Sequence, residues 1–196
     1  MEINIGVTVG QGAAYITFAA VSIDGRDFYF IRLLERAAIG ENLAAVSYRL
    51  TQLGEQCESF GYKVNLVRIN LSGIGRPLID LVLQDFVQKH LLETVYLSGG
   101  ARLRKEGDDL ILPKELMISR LKILKHLNRV RYDQGLVITT YKGGDIPIIN
   151  FFDELQAYET KVSINEMIWD PERKIGEYDD LAIALGLACW DHQGEA

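Results

Sequence analysis

Three β-branched and aromatic runs, Ile3 to Gly10, Tyr15 to Ile23 and Phe28 to Leu33, are separated by the glycine-bearing turns Gly10-Gln11-Gly12-Ala13 and Asp24-Gly25. Then the period changes. From Glu41 onward, Leu43, Val46, Leu50, Leu53, Cys57 and Phe60 fall on one helical stripe, which Gly61 closes. A three-strand meander leading into one long amphipathic helix confines the chain to folds in which helices cover a sheet.

The pattern continues in the same style. Val64 to Leu71 reads as a buried strand, Pro77 fits the first turn of a helix reaching toward His90, and Thr94 to Leu97 reads as a further strand before Ser98-Gly99-Gly100. Arg102 to Arg104 and Leu110 to Leu112 form a hairpin pattern turning through Glu106-Gly107-Asp108-Asp109. A helix over 114–130 follows Pro113. Leu136 to Thr139 is a strand pattern, Ile148 to Tyr158 carries helical spacing, and Ser163 to Trp169 reads as an edge strand. The closing helix runs from Asp179 or Asp180 to Trp190.

A length of 196 residues with 48% hydrophobic composition suits one core, since a domain takes roughly 100–200 residues; residues 1–196 are therefore read as a single domain. No repeat or low-complexity linker divides it. Cys57 and Cys189 sit inside apolar periodic segments, not at metal-ligand spacing, and Met1 to Gly6 lack the features of a secretory signal, so a reducing, cytoplasmic location is expected. Charged residues punctuate every apolar run well short of the roughly 20 residues needed to cross a bilayer, so no membrane association is expected. A net charge of −6 disfavours indiscriminate attraction to nucleic acid while leaving a local basic face open.

Five short motifs in order make the reading more specific. They are Ile5-Gly6-Val7-Thr8-Val9-Gly10-Gln11-Gly12, then Ile69-Asn70-Leu71-Ser72-Gly73-Ile74-Gly75-Arg76-Pro77-Leu78-Ile79-Asp80, Ser98-Gly99-Gly100, Leu112-Pro113-Lys114-Glu115-Leu116, and Tyr178-Asp179-Asp180-Leu181-Ala182-Ile183-Ala184-Leu185. In this order the chain resembles the C-terminal nuclease domain of phage terminase large subunits, enzymes that cut concatemeric DNA during capsid packaging. The resemblance implies an RNase H-like α/β fold: a mixed sheet of a three-strand antiparallel meander followed by parallel strands, flanked by helices, with acidic residues at the start of the C-terminal helix. It also implies catalytic carboxylates. In the family an Asp stands where Thr8 is, an acid stands where Asn70 is, and the last motif usually begins His-Asp-Asp.

Those departures bear directly on the chemistry. Two-metal cleavage holds cations about 3.5–4 Å apart, and clustered carboxylates must ligate them and offset their charge. Thr8 and Asn70 supply only neutral oxygens, so they read as vestigial positions, with Asp180 and Asp179 as the catalytic remnant. No metal is expected in the substrate-free protein, and Asp180 would be its ligand if one bound. Asp80 lies a helical entry beyond Gly75 and does not replace the missing acid. Each position also has a plainer reading. Asp179-Asp180 suits a helix N-cap with favourable first-turn charge, Asn70 suits a turn, Thr8 suits a strand, and Gly73-Ile74-Gly75 suits tight sheet-to-helix packing.

Met117, Leu121, Leu124 and Asn128 fall on one line of the helix over 114–130 and Lys122, Lys125 and Arg129 recur at helical spacing on another, a stripe able to follow a phosphate backbone or simply to be solvated. Three functional readings stand. The first is a catalytically silent, terminase-nuclease-like protein of phage or prophage origin that contacts DNA, a separate packaging ATPase or another phage protein. The second is an active Mg- or Mn-dependent endonuclease of DNA packaging with an incomplete carboxylate site. The third takes Gly6 to Gly12 and Val95 to Gly100 as echoes of an actin-like ATPase, a fold that normally needs two such domains. No Gly-x-x-x-x-Gly-Lys-Ser/Thr phosphate loop occurs, so the chain carries no packaging motor of that type.

Overall fold

A computed structural model describes residues 1–9, 15–24, 28–38, 43–72, 91–140, 144–157 and 179–191. The meander consists of β1 (Glu2–Val9), β2 (Tyr15–Ile23) and β3 (Tyr29–Ala38), and helix α1 (Leu43–Ser59) leads from it into β4 (Lys63–Asn70). Further along come β5 (Leu91–Ser98), β6 (Arg104–Glu106), β7 (Asp109–Pro113), α2 (Lys114–His126), β8 (Val130–Tyr132), β9 (Val137–Thr140), β10 (Ile146–Pro147), α3 (Ile148–Ala157) and α4 (Asp179–Ala188). The expected helix after Pro77 and edge strand at 163–169 lie outside the described residues.

The ten strands form one mixed sheet in the order β10-β9-β3-β2-β1-β4-β5-β7-β6, with β8 paired beside β3. The meander is antiparallel, whereas β1-β4, β4-β5 and β5-β7 are parallel. This is an RNase H-like α/β arrangement, and β1 lies at its centre. Alternation along the strands sorts the side chains onto two faces. Ile3, Ile5, Val7 and Val9 of β1 join Ile16, Phe18, Val67 and Ile69 in a core closed by Val46, Leu50, Leu53 and Cys57 of α1. The opposite face packs Ala19, Val21, Ile31, Leu34 and Val95 against α2, α3 and α4. Gly61, at φ 78, ends α1 as its stripe suggested, with the Tyr62 amide donating to the Cys57 carbonyl at 3.0 Å. Phe60, placed on that stripe by sequence, lies past the helix end and is 77% exposed.

Several boundaries differ from the sequence reading: β5 begins at Leu91 and not at Thr94, the first hairpin strand lies at Arg104–Glu106 and not at 102–104, and two further shifts have a clear physical cause. β3 runs on to Ala38 because a β-bulge interrupts its alternation: Val21 pairs with Ile31 and Ala20 with Leu33, which leaves Arg32 as the extra residue. The helix expected over 114–130 stops at His126, where Asn128 turns to φ 54 and its amide donates to the Lys125 carbonyl at 3.0 Å. Arg129 therefore leaves the helical stripe. It precedes β8, and its carbonyl accepts the Tyr29 amide at 2.8 Å.

Candidate functional site

Strand pairing brings one polar row across the sheet. Asn70 of β4 is in register with Thr8 of β1, Thr8 with Thr17 of β2, Thr17 with Arg36 of β3, and Arg36 with Thr140 of β9. The Asn70 carboxamide nitrogen donates to Thr8 Oγ1 at 3.0 Å, and its oxygen accepts the Ser72 amide at 3.0 Å. Thr8 and Asn70 are thus neighbours on the face covered by α4, and both are buried.

Helix α4 comes unusually close to β1 there. A Cβ placed on Gly6 would sit 2.0 Å from the Ala184 carbonyl oxygen, so only a residue without a side chain lets the helix settle on the central strand. This approach delivers the start of α4 to the polar row. Asp180 accepts the Thr17 hydroxyl and is forked by Arg36, whose Nε donates to Oδ2 at 2.8 Å and whose Nη2 donates to Oδ1. Both partners are largely buried, with side chains 11% and 12% exposed. Asp179 pairs separately with Lys114 at the start of α2, Nζ to Oδ1 at 2.9 Å.

The far end of the same helix is held by a third cation. Arg68 of β4 donates to the Leu187 and Trp190 carbonyls and, through Nε, to Glu93 at 2.6 Å. A cation at a helix C-terminus satisfies otherwise orphaned carbonyls and complements the helix dipole, as the acids do at the opposite end. Cys189, just past the helix, has its thiol pushed up to about 12 by burial, with Arg120 and Arg68 acting against that shift.

Sequence reasoning named Thr8, Asn70, Asp179 and Asp180, and the fold gathers the first two beside the helix start that carries the others. It missed Arg36, Thr17 and Lys114. One signal was available: α4 contains no basic residue, and buried acids need cationic or hydrogen-bonding partners from elsewhere in the chain. The residues do not fit the two-cation site of a nuclease. Arg36 and Thr17 engage the oxygens of Asp180, the Asn70 oxygen is turned to the Ser72 amide, and among the described residues no group of three or more His, Cys, Asp or Glu side chains could hold a metal ion.

Of the expected DNA stripe, Lys122 and Lys125 lie on α2 and Arg129 lies beyond its end. Lys125 lies over the rings of Tyr132 and Phe152, 4.4 and 4.3 Å from their centroids, and donates to the Tyr132 hydroxyl at 3.2 Å. Among the described residues no helix is long and apolar enough to cross a membrane.

The sequence matches no protein-family model and no curated protein. Solved structures do match. The human cytomegalovirus terminase nuclease domain soaked with Mn is 17% identical with a TM-score of 0.53, over 94% of this chain and 80% of that one. The chain has a terminase-nuclease-like fold. The same viral domain with Mn and an inhibitor bound gives a TM-score of 0.54 at 16% identity, covering 94% of this chain and 80% of that chain. The terminase-like scaffold here thus carries a polar row of Asn, Thr, Thr and Arg at the start of α4.

Proposed function

We propose that this terminase-nuclease-like chain is catalytically silent and serves as a DNA-contacting or protein-interaction module of phage or prophage origin. The observation that carries this reading is Arg36, which forks Asp180 from β3. Its guanidinium supplies the positive charge that divalent cations bring to a nuclease centre, but it cannot activate water or stabilise a leaving oxygen as a bound metal does. Thr8 and Asn70 remove the negative charge that would otherwise recruit such a metal. The site is thereby balanced by its own side chains.

Nicking of supercoiled plasmid with Mg²⁺ or Mn²⁺ tests the proposal, with Asp180→Ala as the reference. Cleavage no higher than in EDTA is expected, and Mn²⁺-dependent nicking abolished by Asp180→Ala would overturn it. A reversal experiment asks about the site itself. Thr8→Asp with Asn70→Asp adds carboxylates that repel one another, so the metal-free protein should melt lower than the parent and recover with Mn²⁺. Adding Arg36→Gln to that pair removes the competing cation and should enlarge the Mn²⁺-induced rise in Tm. If neither combination shows a larger rise than the parent, these positions are not a former metal site.

A further inference from the structure

At the other end of β3, cations and rings alternate along the surface. The Arg32 guanidinium lies 5.6 Å from the Tyr62 ring centroid and 5.3 Å from that of Phe30. Arg131 lies 5.7 Å from Phe30 and 3.9 Å from Phe28. The sequence Tyr62, Arg32, Phe30, Arg131, Phe28 is thus one ladder assembled from three separate parts of the chain. Two features of the fold build it. The bulge in β3 leaves Arg32 as its extra residue, and the parallel pairing of β3 with β8 sets Phe30 directly beside Arg131. The ladder is on the α1 side of the sheet, since Phe30 is in register with Ser22, and Ser22 with Ile3 of that core. It is separated from the Arg36–Asp180 pair by the sheet itself and by a length of β3 that runs from about 13 Å at Arg32 to about 20 Å at Phe30.

We propose that this ladder is a binding surface for single-stranded nucleic acid. Arg32 and Arg131 are exposed and the three rings half-buried; Arg32 Nε donates to Ser22 Oγ at 2.8 Å and Arg131 Nε to the Asn128 carbonyl at 3.4 Å, which fixes each guanidinium and leaves N–H groups on its other nitrogens for a phosphate. The chain as a whole is acidic, yet Lys63 and Arg129 also flank this end, where the acids among the described residues include Glu2, in register with Lys63, Asp24, which accepts the Phe28 amide at 3.2 Å, and Asp133, which accepts the Gly135 amide at 2.9 Å. Exposed cation–π contacts contribute only about 0.5–1 kcal/mol each to folding, so stability alone gives little reason for five residues to be arrayed this way. A single strand uses both components. Its phosphates pair with guanidiniums, and its unstacked bases lie on rings or guanidinium planes at about 1–3 kcal/mol per base. A duplex keeps its base faces inside the helix and would engage the cations alone.

Fluorescence anisotropy with a labelled dT oligonucleotide, longer than the roughly 4–16 nucleotides such surfaces cover, tests this in EDTA. The absence of divalent metal separates the result from the question of nuclease activity. Relative to the parent, Arg32→Gln with Arg131→Gln should weaken binding at least tenfold and flatten the slope of log K against log salt by about 1.4, two phosphates at about 0.7 each. Phe30→Leu should weaken binding while leaving that slope unchanged, the signature of lost stacking. Lys105→Gln, on the distant edge strand β6, should leave both quantities unchanged, and circular dichroism melts establish that each variant is folded. The proposal is overturned if the parent does not bind dT, if the double variant binds as the parent does, or if a duplex of equal length binds as tightly as the single strand.

Discussion

The two faces of the central sheet are built from the same strands on opposite plans. On the α1 face, Ile3, Ile5, Val7, Ile16, Phe18 and Ile69 are all but completely buried and make a core of apolar contacts. On the α4 face, the alternate residues of β1, β2 and β4 include Asn4, Gly6, Thr8, Thr17, Arg68 and Asn70. The first face is held together by water exclusion, which is tolerant of small changes in shape. The second has an apolar core of its own around Ala19, Val21, Leu34 and the α4 side chains. It depends in addition on each buried polar group meeting its partner, which is not tolerant, because a charge left unpaired in the interior is expensive.

The largest test of this difference is Arg36→Ala. It leaves Asp180 buried beside Thr17 without its cation, and breaking such a pair costs about 3–5 kcal/mol. The urea midpoint should fall accordingly. Arg36→Met combined with Asp180→Leu removes both charges and should recover most of the loss. A single-variant cost below about 1 kcal/mol would mean that Asp180 is reached by water and that the α4 face is not the more exacting one.

Adjacent residues of β1 allow a sharper comparison. Gly6→Ala pushes a methyl group into the Ala184 carbonyl of α4, and overpacking of this kind costs about 1–3 kcal/mol. Ile5→Val, on the α1 face, removes one methyl at about 0.5–1.5 kcal/mol. Denaturant midpoints should therefore order parent, Ile5→Val, Gly6→Ala from most to least stable. The reverse order would mean that α4 can move away from β1 more easily than the α1 core can close a small gap.

The same contrast explains what was legible in the sequence. β2 could be bounded at Tyr15 and Ile23 because β-branched residues and flanking turns mark both ends locally. β3 could not be followed past Leu33, because the bulge at Arg32 breaks the alternation and Leu34-Glu35-Arg36-Ala37-Ala38 carries no strand signal of its own. The helix over 114–130 was drawn too long because Asn128 and Arg129 continue its spacing, whereas Asn, among the residues most tolerant of positive φ, actually turns the chain there. At the site, motif order pointed to Thr8, Asn70 and Asp180. Arg36 and Thr17 were invisible because their roles exist only after β2 and β3 are paired. The Gly73-Ile74-Gly75 turn and Asp80, also singled out by sequence, lie outside the described residues.

The two cysteines provide the finest comparison, one on each face. Burial raises both thiols: Cys57, near the end of α1, with help from the neighbouring Glu58, and Cys189, past α4, to about 12. For Cys189 the ordinary value is 9.0, so below that pH both folded and unfolded chains keep the proton and its contribution to stability is complete. As pH rises from 9.0 toward 12, the unfolded chain ionises while the folded thiol does not, and stability is progressively lost. Cys189→Ala should flatten the decline in Tm over that alkaline range without changing its slope between pH 6 and 8, about where neither state titrates at this position. Kinetics make the companion measurement. Cys57 lies in the last turn of α1, where local fraying alone would expose it, whereas Cys189 is enclosed by α2, α4 and the sheet. A thiol-reactive disulfide reagent should therefore label Cys57 first, and labelling of Cys189 should track global unfolding in urea. Equal labelling rates would show that the C-terminal end of α4 opens as readily as that of α1, and that Arg68, despite capping it, does not hold it closed.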